Sequence, residues 1–152
     1  MTLVSPVFAQ PATLRCPFGP LWVWYCSPAG AVVQMMEACV FSREMAEWMV
    51  GPAHATFSEH FGHQAQLRLL LDLRPMTSRE PTVRAVIMEA GSRILHTFSH
   101  VRVVQPHKPQ PLYMVTLKAA AALLSAFGPE VHIDASFDEA LAALSLQAEV
   151  AL

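Results

Sequence analysis

The run of leucines in residues 67–73 constrains the fold of this chain more than any other part of the sequence. Leucines occupy five of the seven positions, with Arg68 and Asp72 between them. Apolar side chains on successive residues are typical of a strand that is buried on both faces, and such strands lie at the centre of parallel sheets covered by helices. The sequence therefore predicts a one-sheet α/β domain with residues 67–73 as its central strand.

Strand and helix patterns alternate along the rest of the chain. Strands are predicted at residues 13–16, 21–26, 31–40, 101–104 and 130–134. Helices are predicted at residues 42–62 with a kink at Gly51-Pro52, at 82–96, at 112–127, and from 136 onward, with Ser42 and Ser136 as N-caps. Helical crossovers require parallel pairing, whereas the short turn at residues 27–30 makes an antiparallel hairpin. We therefore predict an α/β fold: a single mixed β-sheet of four to five strands with an N-terminal antiparallel hairpin, packed with four helices.

The length of 152 residues corresponds to about one domain. We expect an N-terminal leader at residues 1–12, the domain at 13–146 and a C-terminal tail at 147–152. The leader has no positive charge ahead of its short apolar run, and two prolines interrupt it, so no signal peptide is expected. The three cysteines are odd in number and lack metal-ligand spacing, which indicates reduced thiols in a cytoplasmic protein.

The composition argues against a nucleic-acid partner and against a membrane-spanning helix. Ten Lys and Arg residues stand against 12 Asp and Glu residues, and no basic cluster occurs. Because nucleic-acid binding depends on a basic patch that neutralises phosphates, we expect no nucleic-acid partner. The longest apolar stretches are far shorter than the roughly 18 residues of a spanning helix, so no membrane span is expected.

The order of elements carries a resemblance to a known family. Together with the strand 69–73 (Leu-Leu-Leu-Asp-Leu) and the closing segment 135–141 (Ala-Ser-Phe-Asp-Glu-Ala-Leu), it resembles the STAS domain. That family includes anti-sigma factor antagonists, cytoplasmic tails of sulfate transporters, and divergent bacterial relatives grouped with lipid-transfer folds. The resemblance spans residues 14–146 and implies a bacterial regulatory or scaffolding module that binds protein partners, without enzymatic activity or a cofactor.

In anti-sigma factor antagonists, the strand aspartate is followed eight and nine residues later by an Asp-Ser pair whose serine is phosphorylated. Counting from Asp72, these positions hold Glu80 and Pro81, so the acceptor serine is absent here. Thr77, Ser78 and Thr82 are displaced candidates for such a switch. A plain N-cap role for Ser78 or Thr82 is favoured, with Pro81 in the first helical turn, and we expect no phosphorylation by a kinase of that type.

Other residues that could carry chemistry are few. His54, His60 and His63 lie close in sequence, and imidazoles can bind zinc, but no two of them are spaced i, i+4, and a solvated surface without metal is favoured. Neither a Gly-x-Ser-x-Gly elbow nor a glycine-rich phosphate loop occurs in the sequence. We therefore predict that the protein is not an enzyme.

Two functional hypotheses remain. In the first, the domain is a regulatory or scaffolding module that self-associates through the hairpin, because its strands carry apolar side chains on both faces. The interface residues would be Trp22, Trp24, Tyr25 and Met36, in a homodimer or a higher oligomer, unless the leader covers them. In the second, the domain carries or senses a small lipophilic ligand between sheet and helices. An apolar cavity lined by Leu, Val and Met would distinguish the second hypothesis from the first.

Overall fold

The computed structural model describes residues 4–62, 66–108, 111–126 and 128–149. Within these ranges the strands are β1 (Leu14–Arg15), β2 (Leu21–Ser27), β3 (Gly30–Met35), β4 (Cys39–Phe41), β5 (Leu67–Asp72), β6 (Met76–Arg79), β7 (Phe98–Val104), β8 (Glu130–Asp134) and β9 (Gln147–Ala148). The helices are α1 (Arg43–Trp48), α2 (His54–Phe61), α3 (Val83–Ile94), α4 (Pro111–Ser125) and α5 (Phe137–Leu144). A π-helical turn, Met49–Ala53, joins α1 to α2, and a 3-10 turn, Leu95–Thr97, follows α3.

Seven strands form one mixed sheet in the order β1-β2-β3-β5-β7-β8, with β9 paired to β2. The strands β1, β2 and β3 pair antiparallel, whereas β3-β5, β5-β7 and β7-β8 pair in parallel. The predicted mixed α/β sheet with an N-terminal hairpin is therefore confirmed, and β5 lies at its centre as the leucine run predicted. Because α1, the π-helical turn and α2 are continuous, the described residues form four helical units, as expected, while the strand number exceeds the predicted four to five.

The sheet separates two hydrophobic clusters. The larger cluster lies between one face and helices α1–α4 and includes Leu67 and Leu71 of the central strand. The smaller cluster lies between the opposite face and α5 and includes Leu70 and Phe137. Since side chains alternate along a strand, the leucine run supplies both clusters, which explains why it is apolar on successive residues.

The helix caps follow the sequence signals. The side chain of Ser42 accepts a hydrogen bond from the Met45 backbone N–H at 3.2 Å, and Ser136 accepts one from the Glu139 N–H at 3.2 Å. Both caps give the first turn a partner for an otherwise unpaired N–H group. Gly62, which ends α2, has a φ of 89°, a left-handed value that favours glycine.

Two secondary-structure predictions were wrong. Residues 31–40 do not form one strand, because β3 ends at Met35 and a separate strand, β4, begins at Cys39. Strand β4 then pairs in parallel with β6 in a separate two-stranded sheet. The sequence did not predict β6, because Met-Thr-Ser-Arg has neither alternation nor β-branched enrichment, and its pairing partner is more than 30 residues away.

The segment before β1 packs on the chain itself. The Val4 N–H donates to the Met36 carbonyl at 2.9 Å, and Val7 and Phe8 pack against the smaller cluster. The indole N–H of Trp24 donates to the Gln10 carbonyl at 3.0 Å. The leader therefore covers part of the sheet face that carries α5.

Candidate functional site

An apolar cleft of about 200 Å³ lies between the sheet and helices α1–α4. Its floor is formed by the side chains of alternate residues in the inner strands, among them Leu69, Leu71, Val101, Val103, Val131 and Ile133. Its roof comes from the helices, among them Phe57, Ile87, Leu117, Ala120, Ala121 and Leu124. The cleft thus occupies the middle of the larger hydrophobic cluster.

The partial exposure of one leucine in the central strand shows that side chains do not fill the cleft. Leu69 of β5 is hydrogen-bonded between β3 and β7 and faces the cleft, yet its side chain remains partly exposed. Its neighbour Leu70, which faces α5, is completely buried. A central strand that is accessible from one side only indicates that the helices on that side do not close over it.

Small side chains on α4 explain the opening. Ala120 and Ala121 contribute only methyl groups to the roof, where larger residues would reach the sheet. Protein interiors seldom contain voids larger than a water molecule, and an engineered apolar cavity of roughly 150 Å³ is large enough to hold benzene. The cleft has room for a lipophilic group of that size or somewhat larger.

His54 is a polar residue at the inner wall of the cleft. Its Nε2 lies 3.2 Å from the Thr97 hydroxyl and 3.4 Å from the Ser58 hydroxyl. Burial lowers the pKa of His54 from its ordinary value of 6.5, and the neighbouring charge of His96 lowers it further. The imidazole is therefore neutral at pH 7 and adds no charge to the wall.

We expect His54 to make the fold less stable in acid. Because its pKa is lower in the folded chain than in the unfolded one, the unfolded chain binds the proton more readily as the pH falls below about 6.5. The free energy of unfolding, measured with urea, should fall between about pH 7.5 and pH 5.5. His54→Gln should weaken this dependence, whereas His107→Gln, at an exposed position, should leave it unchanged. An unchanged dependence in H54Q would contradict the assignment.

The candidate phosphorylation residues lie in different environments. Thr77 and Ser78 are exposed on β6 and not at a helix terminus, so the N-cap interpretation of Ser78 was wrong. Thr82 directly precedes α3, but its side chain makes no capping hydrogen bond. Of the three hydroxyls, that of Thr82 alone lies at the start of a helix, and phosphorylation of any of them stays a prediction.

The predicted hairpin interface is largely inside the chain. Trp24, Tyr25 and Met36 are 2%, 5% and 6% exposed, and the leader and α5 cover Trp24. Trp22 is half-buried, with the Arg15 guanidinium 3.9 Å from the centre of its ring. Self-association through this hairpin stays a prediction, and of these four residues only Trp22 keeps appreciable exposure.

The three candidate metal-binding histidines do not converge in the described residues. His54 lines the cleft, His60 Nε2 lies 2.7 Å from the Glu149 carboxylate with its ring 4.7 Å from that of Tyr25, and His63 lies outside the described residues. No group of three or more His, Cys, Asp or Glu side chains in the described ranges has the arrangement of a metal site.

The structure also reveals a buried polar network that sequence analysis did not predict. The Asp72 carboxylate, fully buried, accepts hydrogen bonds from the Arg74 guanidinium at 2.9 and 2.8 Å and from the Gln34 amide at 3.3 Å. Gln34 also donates to the Ser5 carbonyl at 3.2 Å and accepts from the Val7 N–H at 3.0 Å. The network ties the leader to the end of the central strand.

No helix within the described part of the chain is long and apolar enough to cross a bilayer.

The order of the strands and the placement of the helices define a STAS-like fold, as the sequence predicted. Among solved structures, the chain is similar to the anti-sigma factor antagonist SpoIIAA in its unphosphorylated form, with a TM-score of 0.52 and 9% identity, over 82% of this chain and 97% of that one. It is also similar to an uncharacterized protein of the DUF3478 family with a SpoIIAA-like fold from Shewanella loihica, with a TM-score of 0.55 and 12% identity, over 90% and 99% of the two chains. By sequence, neither a protein-family model nor a curated protein matches the chain.

Proposed function

We propose that this STAS-like domain binds a small lipophilic molecule in the cleft and acts as its carrier or sensor. The observation that carries the proposal is the partly exposed Leu69 at the floor of an apolar cavity in the centre of the domain. The two functional hypotheses differ in whether such a cavity exists, and its presence supports the ligand hypothesis. Concave, mostly apolar sites with a few polar groups are the usual form of small-molecule sites.

Part of the hydrophobic core lies away from this space. The fully buried residues of the smaller cluster, such as Leu70, Val32 and Val104, lie on the other side of the sheet. A ligand that enters the cleft removes apolar surface of Leu69 and Ile133 from water, and such burial is favourable by roughly 25 cal/mol per Å². Binding therefore needs no rearrangement of the closed side of the domain.

The test is calorimetric titration of the purified protein with 1-octanol, a small neutral probe with an apolar chain. We expect binding to the wild type and loss of binding in Ala120→Trp, because an indole at this position fills the cleft. The matched control is Ala119→Trp on the exposed side of the same helix, which should bind like the wild type. Absence of binding to the wild type, or equal binding to all three proteins, would overturn the proposal.

The second candidate is the regulatory protein-interaction module, acting without catalysis. The fold likeness to SpoIIAA, which is described as an anti-sigma factor antagonist, supports it at the level of the fold. Native mass spectrometry of protein purified from its natural host separates the candidates. A small-molecule adduct on the chain supports the ligand hypothesis, whereas a stable complex with itself or with another protein supports the interaction module.

A further inference from the structure

Few polar side chains line the cleft. Among the described residues they are those of His54, Arg79, Arg84 and Thr116. Guanidinium groups carry only N–H donors, so the two arginines cannot accept a hydrogen bond from a ligand. No Asp or Glu of the described chain lines the cleft. The strong hydrogen-bond acceptors of these lining side chains are therefore the His54 imidazole and the Thr116 hydroxyl.

The hydrogen bonds around His54 fix the tautomer of its imidazole. The Thr97 hydroxyl donates to the Ile94 carbonyl at 2.6 Å, so its hydrogen is committed there. The Thr97 oxygen therefore accepts a hydrogen bond from His54 Nε2, which lies 3.2 Å away. Because Nε2 carries the hydrogen and the imidazole is neutral at pH 7, Nδ1 keeps its lone pair as an acceptor.

His54 Nδ1 is both unpartnered and accessible in the described part of the chain. The two hydrogen bonds of His54 to described residues use Nε2. The unpartnered side-chain atoms that the described residues seal from solvent are the Tyr25 hydroxyl oxygen and Asp134 Oδ2, so Nδ1 is not sealed. Nε2 faces Thr97 and Ser58, neither of which lines the cleft, whereas His54 does.

Resting on the proposed function, we infer that the ligand of this cleft is a neutral lipophilic molecule with a hydroxyl group, which donates a hydrogen bond to His54 Nδ1. The apolar remainder of the ligand lies against the floor of the cleft, over Leu69. A ligand whose polar atoms only accept meets the lone pair of Nδ1 and gains no hydrogen bond. Sites that hydrogen-bond a ligand hydroxyl discriminate against analogues that lack it, because the polar group of the site is then left unpaired.

Calorimetric titration with two isomers tests the inference: 1-octanol, and 1-methoxyheptane, whose ether oxygen accepts but cannot donate. In a cleft without an acceptor the ether would bind more tightly, since burial of an unpaired hydroxyl is unfavourable. We expect the wild type to bind the alcohol about fivefold more tightly than the ether, the size of one net hydrogen bond. His54→Leu should reverse this order while the ether still binds, which shows that the variant is folded.

The matched control is Thr116→Val, which removes the other acceptor of the cleft lining at nearly constant side-chain shape. This variant should keep the wild-type preference for the alcohol. Nitrogen NMR spectroscopy of the imidazole tests the tautomer without a ligand, and we expect a protonated Nε2 and a bare Nδ1 at pH 7. The signal of Nδ1 should then change more with 1-octanol than with the ether.

The outcomes separate the two proposals. The hydroxyl inference is overturned, while the ligand site stands, if the wild type binds the ether as tightly as the alcohol. The same holds if the preference survives in His54→Leu, if Thr116→Val abolishes it, or if Nδ1 carries the hydrogen. If neither isomer binds, the ligand site fails and the hydroxyl inference fails with it.

Discussion

Leu70→Ala should lower the free energy of unfolding by about 2–5 kcal/mol, whereas Leu69→Ala should lower it by about 1 kcal/mol or less. The two leucines are adjacent in the central strand and differ in what they face. Leu70 is completely buried against α5, so its truncation leaves a cavity whose walls relax only in part. Leu69 borders a space that already exists, and its truncation enlarges an open cleft.

Urea unfolding of the two variants and the wild type measures the difference directly. The pair controls for strand propensity, because the same substitution is made at neighbouring positions of one strand. Equal losses of several kcal/mol, of the size seen for buried leucines, would mean that the helices close over Leu69 in solution and that the cleft is filled by the protein itself.

Arg74→Ala should destabilise the fold by about 3 kcal/mol, because it leaves the buried Asp72 carboxylate without its charged partner. The Asp72 side chain is 0% exposed in the folded chain, and the substitution removes two of the hydrogen bonds that its carboxylate accepts. The guanidinium of Arg74 also lies 4.6 Å from the centre of the Phe137 ring, and this contact with α5 is lost as well.

A double-mutant cycle isolates the contribution of the ion pair. In the background of Asp72→Asn, the substitution Arg74→Ala should cost much less than in the wild type, because no buried charge is then left unpaired. Arg43→Ala serves as the matched control, since Arg43 forms an exposed ion pair with Glu47, and it should leave stability nearly unchanged. Equal costs of R74A in both backgrounds would show that packing of the arginine, not its charge, stabilises this corner.

The features that sequence predicted are those with a local signal. The leucine run fixed the central strand, and Ser42 and Ser136 marked helix starts, because alternation and capping act over a few residues. The break after Met35 lacked such a signal, since Met36, Ala38 and Val40 continue the apolar pattern. Strand β6 depends on a partner distant in the chain, and no property of its own four residues indicates it.

The candidate site was likewise predictable only where neighbouring residues carry a signal. The floor residues lie in segments that the sequence predicted as strands, and an apolar cavity was named as the feature that distinguishes the two hypotheses. Whether a cavity exists depends on the distance of α3 and α4 from the sheet. That distance is set by side chains that come together only in the folded chain, such as those of Ala121, Val131 and Ile133, which all line the cleft. The hydrogen bond between Gln34 and Asp72 could not be predicted for the same reason, because the two residues are 38 positions apart in the sequence.

Because side chains alternate along β5, the two faces of this strand have different roles. On one face, Leu70 packs against α5, and Asp72 binds Gln34, which holds the leader. On the other face, Leu69 borders the cleft, whose volume depends on the size of the side chains on α4. Under the proposed function, substitutions on the roof of the cleft should change which molecule binds without touching the buried residues on the opposite face of the strand.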